Sequence, residues 1–236
     1  MGTARAAILA LALTGCPAER LGVPLPPRGE AAIGQEDVQR DLYLFTPGAW
    51  NLVDPEEALP HRFAEVGLEP AFDGDYGQGG ATCGRHDGEA GPALLVIAQT
   101  DGPGVSQSTL RAASLVSLAK SVDRLETTSS VLFCYLHAEA GAAFDASPPL
   151  PWSAVGEVVV LGSLAGAVLS TTAEPWRGHD AHRFTGGPDP LAGTAADGIE
   201  RLDYRAIEAH LRVIHRDVLA PLIKDPPPAE PPPPPH

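Results

Sequence analysis

The chain has 236 residues, with 30 acidic against 16 basic side chains and a formal net charge of −14. That balance argues against a nucleic-acid binder, whose phosphates select basic surfaces, and it brings no attraction to anionic lipid. Apolar residues make up 44% of the sequence, so most of it should fold, and the length suits one ordinary domain with a sizeable core.

The chain opens with MGTARAAILALALTGC. Arg5 supplies a positive start, Ala6 to Leu13 a short apolar run, and Leu13-Thr14-Gly15-Cys16 small residues at a cleavage point. The apolar run falls short of the ~20 residues a membrane-spanning helix needs. The four residues resemble the lipobox of bacterial lipoproteins. That resemblance implies that residues 1–15 are removed and that Cys16 is lipidated and becomes the mature amino terminus. Several acyl chains together anchor a protein stably, so the membrane is the expected partner, on the extracytoplasmic side of the cell envelope. Residues 16–34 add a Pro- and Gly-rich tether to the lipidated cysteine.

Residues 35–46 and 55–67 read as helices, the second disturbed by Pro60 and stopped by Gly67. ATCGRH and ALLVIAQ flank Asp87-Gly88 and read as two strands of a hairpin or near-hairpin. Residues 108–122 place Leu110, Ala113, Leu115, Leu118 and Val122 at helical spacing. VLFCYLH (131–137) and EVVVLGSLAG (157–166) are near-continuous apolar runs of the kind central strands show when both faces are covered. Residues 203–222 repeat Ile207, Leu211, Ile214, Val218 and Leu222 on one helical face. Residues 225–236 are mostly proline and predict an extended tail, an inert spacer in its simplest reading. Strands alternating with helices imply a three-layer α/β/α domain over residues 35–224 with a mostly parallel mixed sheet. Besides Cys16 there are Cys83 and Cys134. An oxidising periplasm permits a disulfide between them, while the apolar setting of Cys134 favours a buried free thiol.

Several strand ends carry a further pattern. GLEPAFDGDYGQ (67–78), LLVIAQTDGPG (94–104), GVSQSTLRAASLVSLA (104–119), VLFCYLHAEAG (131–141) and VVVLGSLAG (158–166) together resemble the M28 zinc aminopeptidases, whose relatives include glutaminyl cyclases. The resemblance covers residues 35–222 and rests on order, spacing and strand-end position more than on identity. It implies a site at the carboxyl ends of the strands, where open α/β sheets bind ligands. In that family two zinc ions are held there by His and carboxylate groups, and a Glu accepts a proton from the bound water. By this resemblance the first His ligand falls on Gln99 and its orienting Asp on Asp101. The bridging Asp falls on Ser106, the general base on Glu139, the metal-binding Glu on Ala140 and a further Asp on Gly162. The last His falls loosely on His179 or His182.

Zinc takes nitrogen, sulfur or carboxylate donors. Gln99, Ser106, Ala140 and Gly162 offer none of these, so only Asp101, Glu139, His179 and His182 remain of the pattern. The leading expectation is therefore a lipid-anchored domain with no resident cofactor and a role in binding a peptide or envelope protein. The alternative is an active aminopeptidase or hydrolase whose zinc site is rearranged around Asp101, Glu139 and the His179/His182 pair. His137 ends a strand beside Glu139 and falls near the same place. Ser106 and Ser108 lack the Gly-x-Ser-x-Gly context of a nucleophile elbow, and the Gly102–Gly104 turn lacks the Lys-Ser/Thr ending of a phosphate loop.

Overall fold

The computed structural model describes residues 29–45, 55–75, 80–100, 108–187 and 198–224. The expected signal with Cys16 and the proline-rich residues 225–236 lie outside these residues. Seven strands, β1 (Glu69–Asp75), β2 (Gly80–His86), β3 (Ala93–Gln99), β4 (Val131–Leu136), β5 (Val155–Leu161), β6 (Ser170–Ala173) and β7 (Ala181–Thr185), form one sheet in the order β1-β2-β4-β3-β5-β7-β6. The pairs β3·β4, β3·β5 and β5·β7 are parallel. Antiparallel pairs complete both edges. This is the α/β architecture that the alternation of strand and helix signals implies.

The apolar runs become central strands because both sheet faces are covered. Leu94, Val96 and Ala98 of β3 face a large apolar cluster, while Leu95 and Ile97 face a smaller one on the opposite side. Helices α1 (Gln35–Phe45), α2 (Pro55–Glu65), α3 (Leu110–Val122) and α5 (Tyr204–Ile214) add Leu42, Phe63, Leu115 and Leu211 to the large cluster. The second face has a thinner cover: the short α4 (Gly141–Ala146) contributes Phe144, joined by Trp152 and Trp176. Every residue of α3 except Lys120 is buried, which makes it the central helix of the large cluster.

Two buried polar contacts tie the helices together. Asp41 of α1 is fully buried and pairs with Arg62 of α2. Burial pushes the Asp41 carboxyl above its ordinary range, against the pull of Arg62. Ser121 Oγ lies 2.9 Å from His215 Nδ1, and burial lowers the pKa of that imidazole.

Four expectations need correction. The strands 81–86 and 93–99 are not a hairpin: β2 pairs with β1 and β4, and β3 with β4 and β5. The chain places a parallel neighbour between them because β3 is buried on both faces and takes the sheet centre. Cys134 is not a free thiol. Cys83 and Cys134 face each other across β2 and β4 with Cα atoms 4.2 Å apart, and they are joined as a disulfide. Their separation of 51 residues hides from the sequence a proximity that the strand register creates. Residues 203–222 are not one helix. Asp203 caps α5 by accepting N–H groups of Arg205 and Ala206 at 3.1 Å each, as an N-cap should. After Ile214 the backbone widens to a π-helical turn, His215–Leu219, and then tightens to a 3-10 turn, Ala220–Leu222. The wide turn carries His215 to Ser121. Finally, α2 runs through Pro60 without a break.

Candidate functional site

The carboxyl ends of β3, β4 and β5 are where the resemblance puts a metal site. Gln99 ends β3, and its side-chain oxygen accepts a hydrogen bond from Trp176 Nε1 at 3.2 Å. Its main-chain carbonyl accepts one from the Arg111 guanidinium of α3. Asp101 and Ser106 lie outside the described residues. After β4 a 3-10 turn, Ala138–Ala140, leaves Glu139 exposed and buries Ala140. His137, just before it, keeps its Nδ1 buried with no hydrogen-bond partner among the described residues.

Gly162 follows β5, and its N–H donates to the Phe184 carbonyl at 2.8 Å. A Cβ there would stand 2.3 Å from Thr185 Cγ2 and 3.2 Å from the Phe184 oxygen. Any side chain at this position, a carboxylate included, requires Thr185 to shift. The position is thus closed by packing as well as lacking a donor.

The hairpin between β6 and β7 accounts for the rest of the site, and the sequence did not point to it. Its tip is a two-residue turn, Arg177-Gly178, with φ of +50° and +88°. Trp176 and His179 flank it and exchange backbone hydrogen bonds at 2.8 and 3.0 Å. Positive φ at both central residues makes this the tight hairpin turn whose twist suits the flanking strands. Glycine adopts that backbone without a steric penalty, and arginine does not. The hairpin brings Trp176, only 4% exposed, onto Gln99. Trp176 also packs edge-on against Phe144, with ring centroids 6.1 Å apart, and tilted against Trp152 at the same separation.

His179 stacks on Trp152 at 3.7 Å and its Nε2 lies 2.9 Å from Asp145 Oδ1. Asp145 also accepts the Trp152 indole N–H through its carbonyl at 2.8 Å. Facing a carboxylate, Nε2 of His179 is the nitrogen that donates. His182 is elsewhere. It sits mid-strand in β7, opposite Val159 and Ala173, and is exposed. The His179/His182 pair is therefore not a convergent donor set. Among the described residues no three His, Cys, Asp or Glu side chains come together in a way that would hold a metal. The described residues at Gln99, Ala140 and Gly162 do not fit a two-zinc centre: one is an amide engaged by an indole, and two have no donor atom.

Comparison with known proteins bears on the fold. No protein-family model matches the sequence, and no curated protein matches it. Solved structures do match. Porphyromonas gingivalis glutaminyl cyclase superposes with a TM-score of 0.64 at 9% identity, over 84% of this chain and 100% of that one. A zinc-dependent exopeptidase from Parabacteroides distasonis gives 0.63 at 9% identity, over 82% and 99%. The fold is that of the zinc aminopeptidases and glutaminyl cyclases. The zinc aminopeptidase of Bacillus subtilis matches with a TM-score of 0.52 at 11% identity over 61% of this chain. The chain spans only half the length of that aminopeptidase. Identities this low carry the aminopeptidase-like architecture and no more.

Proposed function

We propose that this chain is a lipid-anchored protein of the bacterial envelope that uses an aminopeptidase-like domain to bind a peptide or envelope partner, without peptidase chemistry of its own. Cys16 would carry the lipid, and the domain would face the periplasm or sit at the outer membrane. Glu139 is the vestige of the general base on this reading. The observation that supports it most is Gly162, which has no donor atom where the resemblance puts a carboxylate and is crowded by Thr185. Exposed Glu139 without an activated water has nothing to deprotonate.

The test uses the full chain extracted in detergent and dialysed against dilute zinc. Elemental analysis should find no stoichiometric zinc, and neither aminoacyl nor amino-terminal glutaminyl peptides should turn over. Two zinc ions per chain, with hydrolysis lost in Glu139→Gln, would overturn the proposal. One zinc per chain, lost in His179→Ala or His182→Ala, would favour the rearranged-site hydrolase instead. In the same preparation Cys16→Ser should leave the membrane fraction, and its retention there would refute the lipid anchor.

A further inference from the structure

We infer that the tip of the β6–β7 hairpin is a recognition site for a carboxylate attached to an aromatic or apolar group, with Arg177 as its anchor. The inference rests on the binding role proposed above and names the chemistry of what is bound.

Arg177 has no acidic partner among the described residues, although the chain carries almost two acidic residues for each basic one. Most described cations are neutralised: Arg40, Arg62, Arg85, Lys120, Arg183, Arg212 and Lys224 each lie within ion-pair distance of Asp or Glu. Arg177 instead stands over the Trp176 ring, its guanidinium carbon 5.7 Å from the centroid. Its side chain is exposed, so the charge faces solvent on one side and an indole on the other.

Two positions bear on where it lies. Arg177 holds φ +50°, where asparagine or glycine would sit with less strain. Gly141 has no side chain where a Cβ would stand 2.7 Å from Arg177 Nη2 and 2.8 Å from its Nε. The second contact sets the guanidinium beside the first residue of α4. The neighbouring surface is an aromatic wall of half-buried Trp152 and His179. Asp145 fixes His179 by its Nε2. No hydrogen bond to Nδ1 occurs among the described residues, and that atom is not among the buried unpaired ones, so it meets solvent.

A planar guanidinium matches a carboxylate in two parallel hydrogen bonds, and flat rings beside it favour an apolar or aromatic side chain on the same ligand. The carboxyl terminus of a peptide ending in such a residue has this chemistry.

Trp152 and Trp176 report on the site by fluorescence. The probes are N-acetylphenylalanine and its neutral amide, titrated into the full chain in detergent. The acid should give a saturable change in the millimolar range, and the amide at least tenfold weaker binding, a difference of about 1.4 kcal/mol. Arg177→Asn suits the left-handed backbone better than arginine and should fold at least as well while abolishing binding of the acid. Arg177→Lys should retain part of it. Equal binding of acid and amide, binding that survives in Arg177→Asn, or no binding of the acid by the natural chain would each overturn the inference. Inorganic phosphate binding as tightly as the acid would overturn the assignment to carboxylates. Zinc content measured on the same sample reports separately on the non-catalytic reading, so the two can fail independently.

Discussion

Gly162→Ala isolates the contact between the end of β5 and Thr185 of β7. The new Cβ would stand 2.3 Å from Thr185 Cγ2, far inside any normal carbon–carbon approach, and 3.2 Å from the Phe184 carbonyl. Gly162 is not among the glycines with positive φ, so backbone strain adds nothing and the cost is steric. Overpacking of this kind costs about 1–3 kcal/mol. Were the space open, the same substitution would stabilise by about 0.4–1 kcal/mol, because alanine restricts the unfolded chain. The sign of the effect is therefore decisive. In thermal unfolding each kcal/mol moves the midpoint by about 2–4 °C for a domain of this size. Thr185→Ser removes Cγ2 but keeps the hydroxyl that lies 2.9 Å from Ser170 Oγ. Adding it to Gly162→Ala should recover most of the loss, with a coupling energy within about 0.5–3 kcal/mol and a small residue from the Phe184 carbonyl. A neutral or stabilising Gly162→Ala, or a loss unchanged by Thr185→Ser, would refute the claim that β7 closes this position.

Two further outcomes follow from the buried polar pairs. Arg62→Ala leaves the fully buried Asp41 without its main counter-charge and should cost about 3–5 kcal/mol. The double change Asp41→Asn with Arg62→Met should restore most of it, and urea midpoints that fall equally in single and double variants would contradict the pairing. His215 is held neutral by burial, so its folded pKa lies below that of the unfolded chain, about 6.5. Its contribution is fully present above that pH and is lost as the pH falls toward the depressed folded value, where the unfolded chain binds the proton first. Stability measured across that window should drop more steeply in the natural chain than in His215→Gln, and parallel profiles would exclude the effect.

The elements legible in the sequence are those whose burial is uniform or periodic. VLFCYL and ALLVIAQ read as central strands because both faces are covered, and α5 reads from its one apolar face. Pairing was less legible, since nothing in ATCGRH shows that its partners are β1 and β4. Strand β6 escaped notice for a different reason: SLAGAVLSTTA (163–173) has no alternation and gives no period, and all four residues of Ser170–Ala173 are exposed. With β6 unseen, the hairpin that carries Trp176, Arg177 and His179 could not be placed.

The site divides along the same line. What was readable was residue type: Gln99, Ala140 and Gly162 lie at or just after the carboxyl ends of β3, β4 and β5 without strong metal-binding donors. What was not readable is what fills the space. Trp176 reaches Gln99 across 77 positions in the sequence, and His179 reaches Asp145 across 34. The Arg177-Gly178 pair was the available local signal, because glycine after a polar residue marks a tight turn. Arginine in the first left-handed position is the choice that turn propensity alone would not make. Replacement by asparagine separates the turn's preference from the use of the charge.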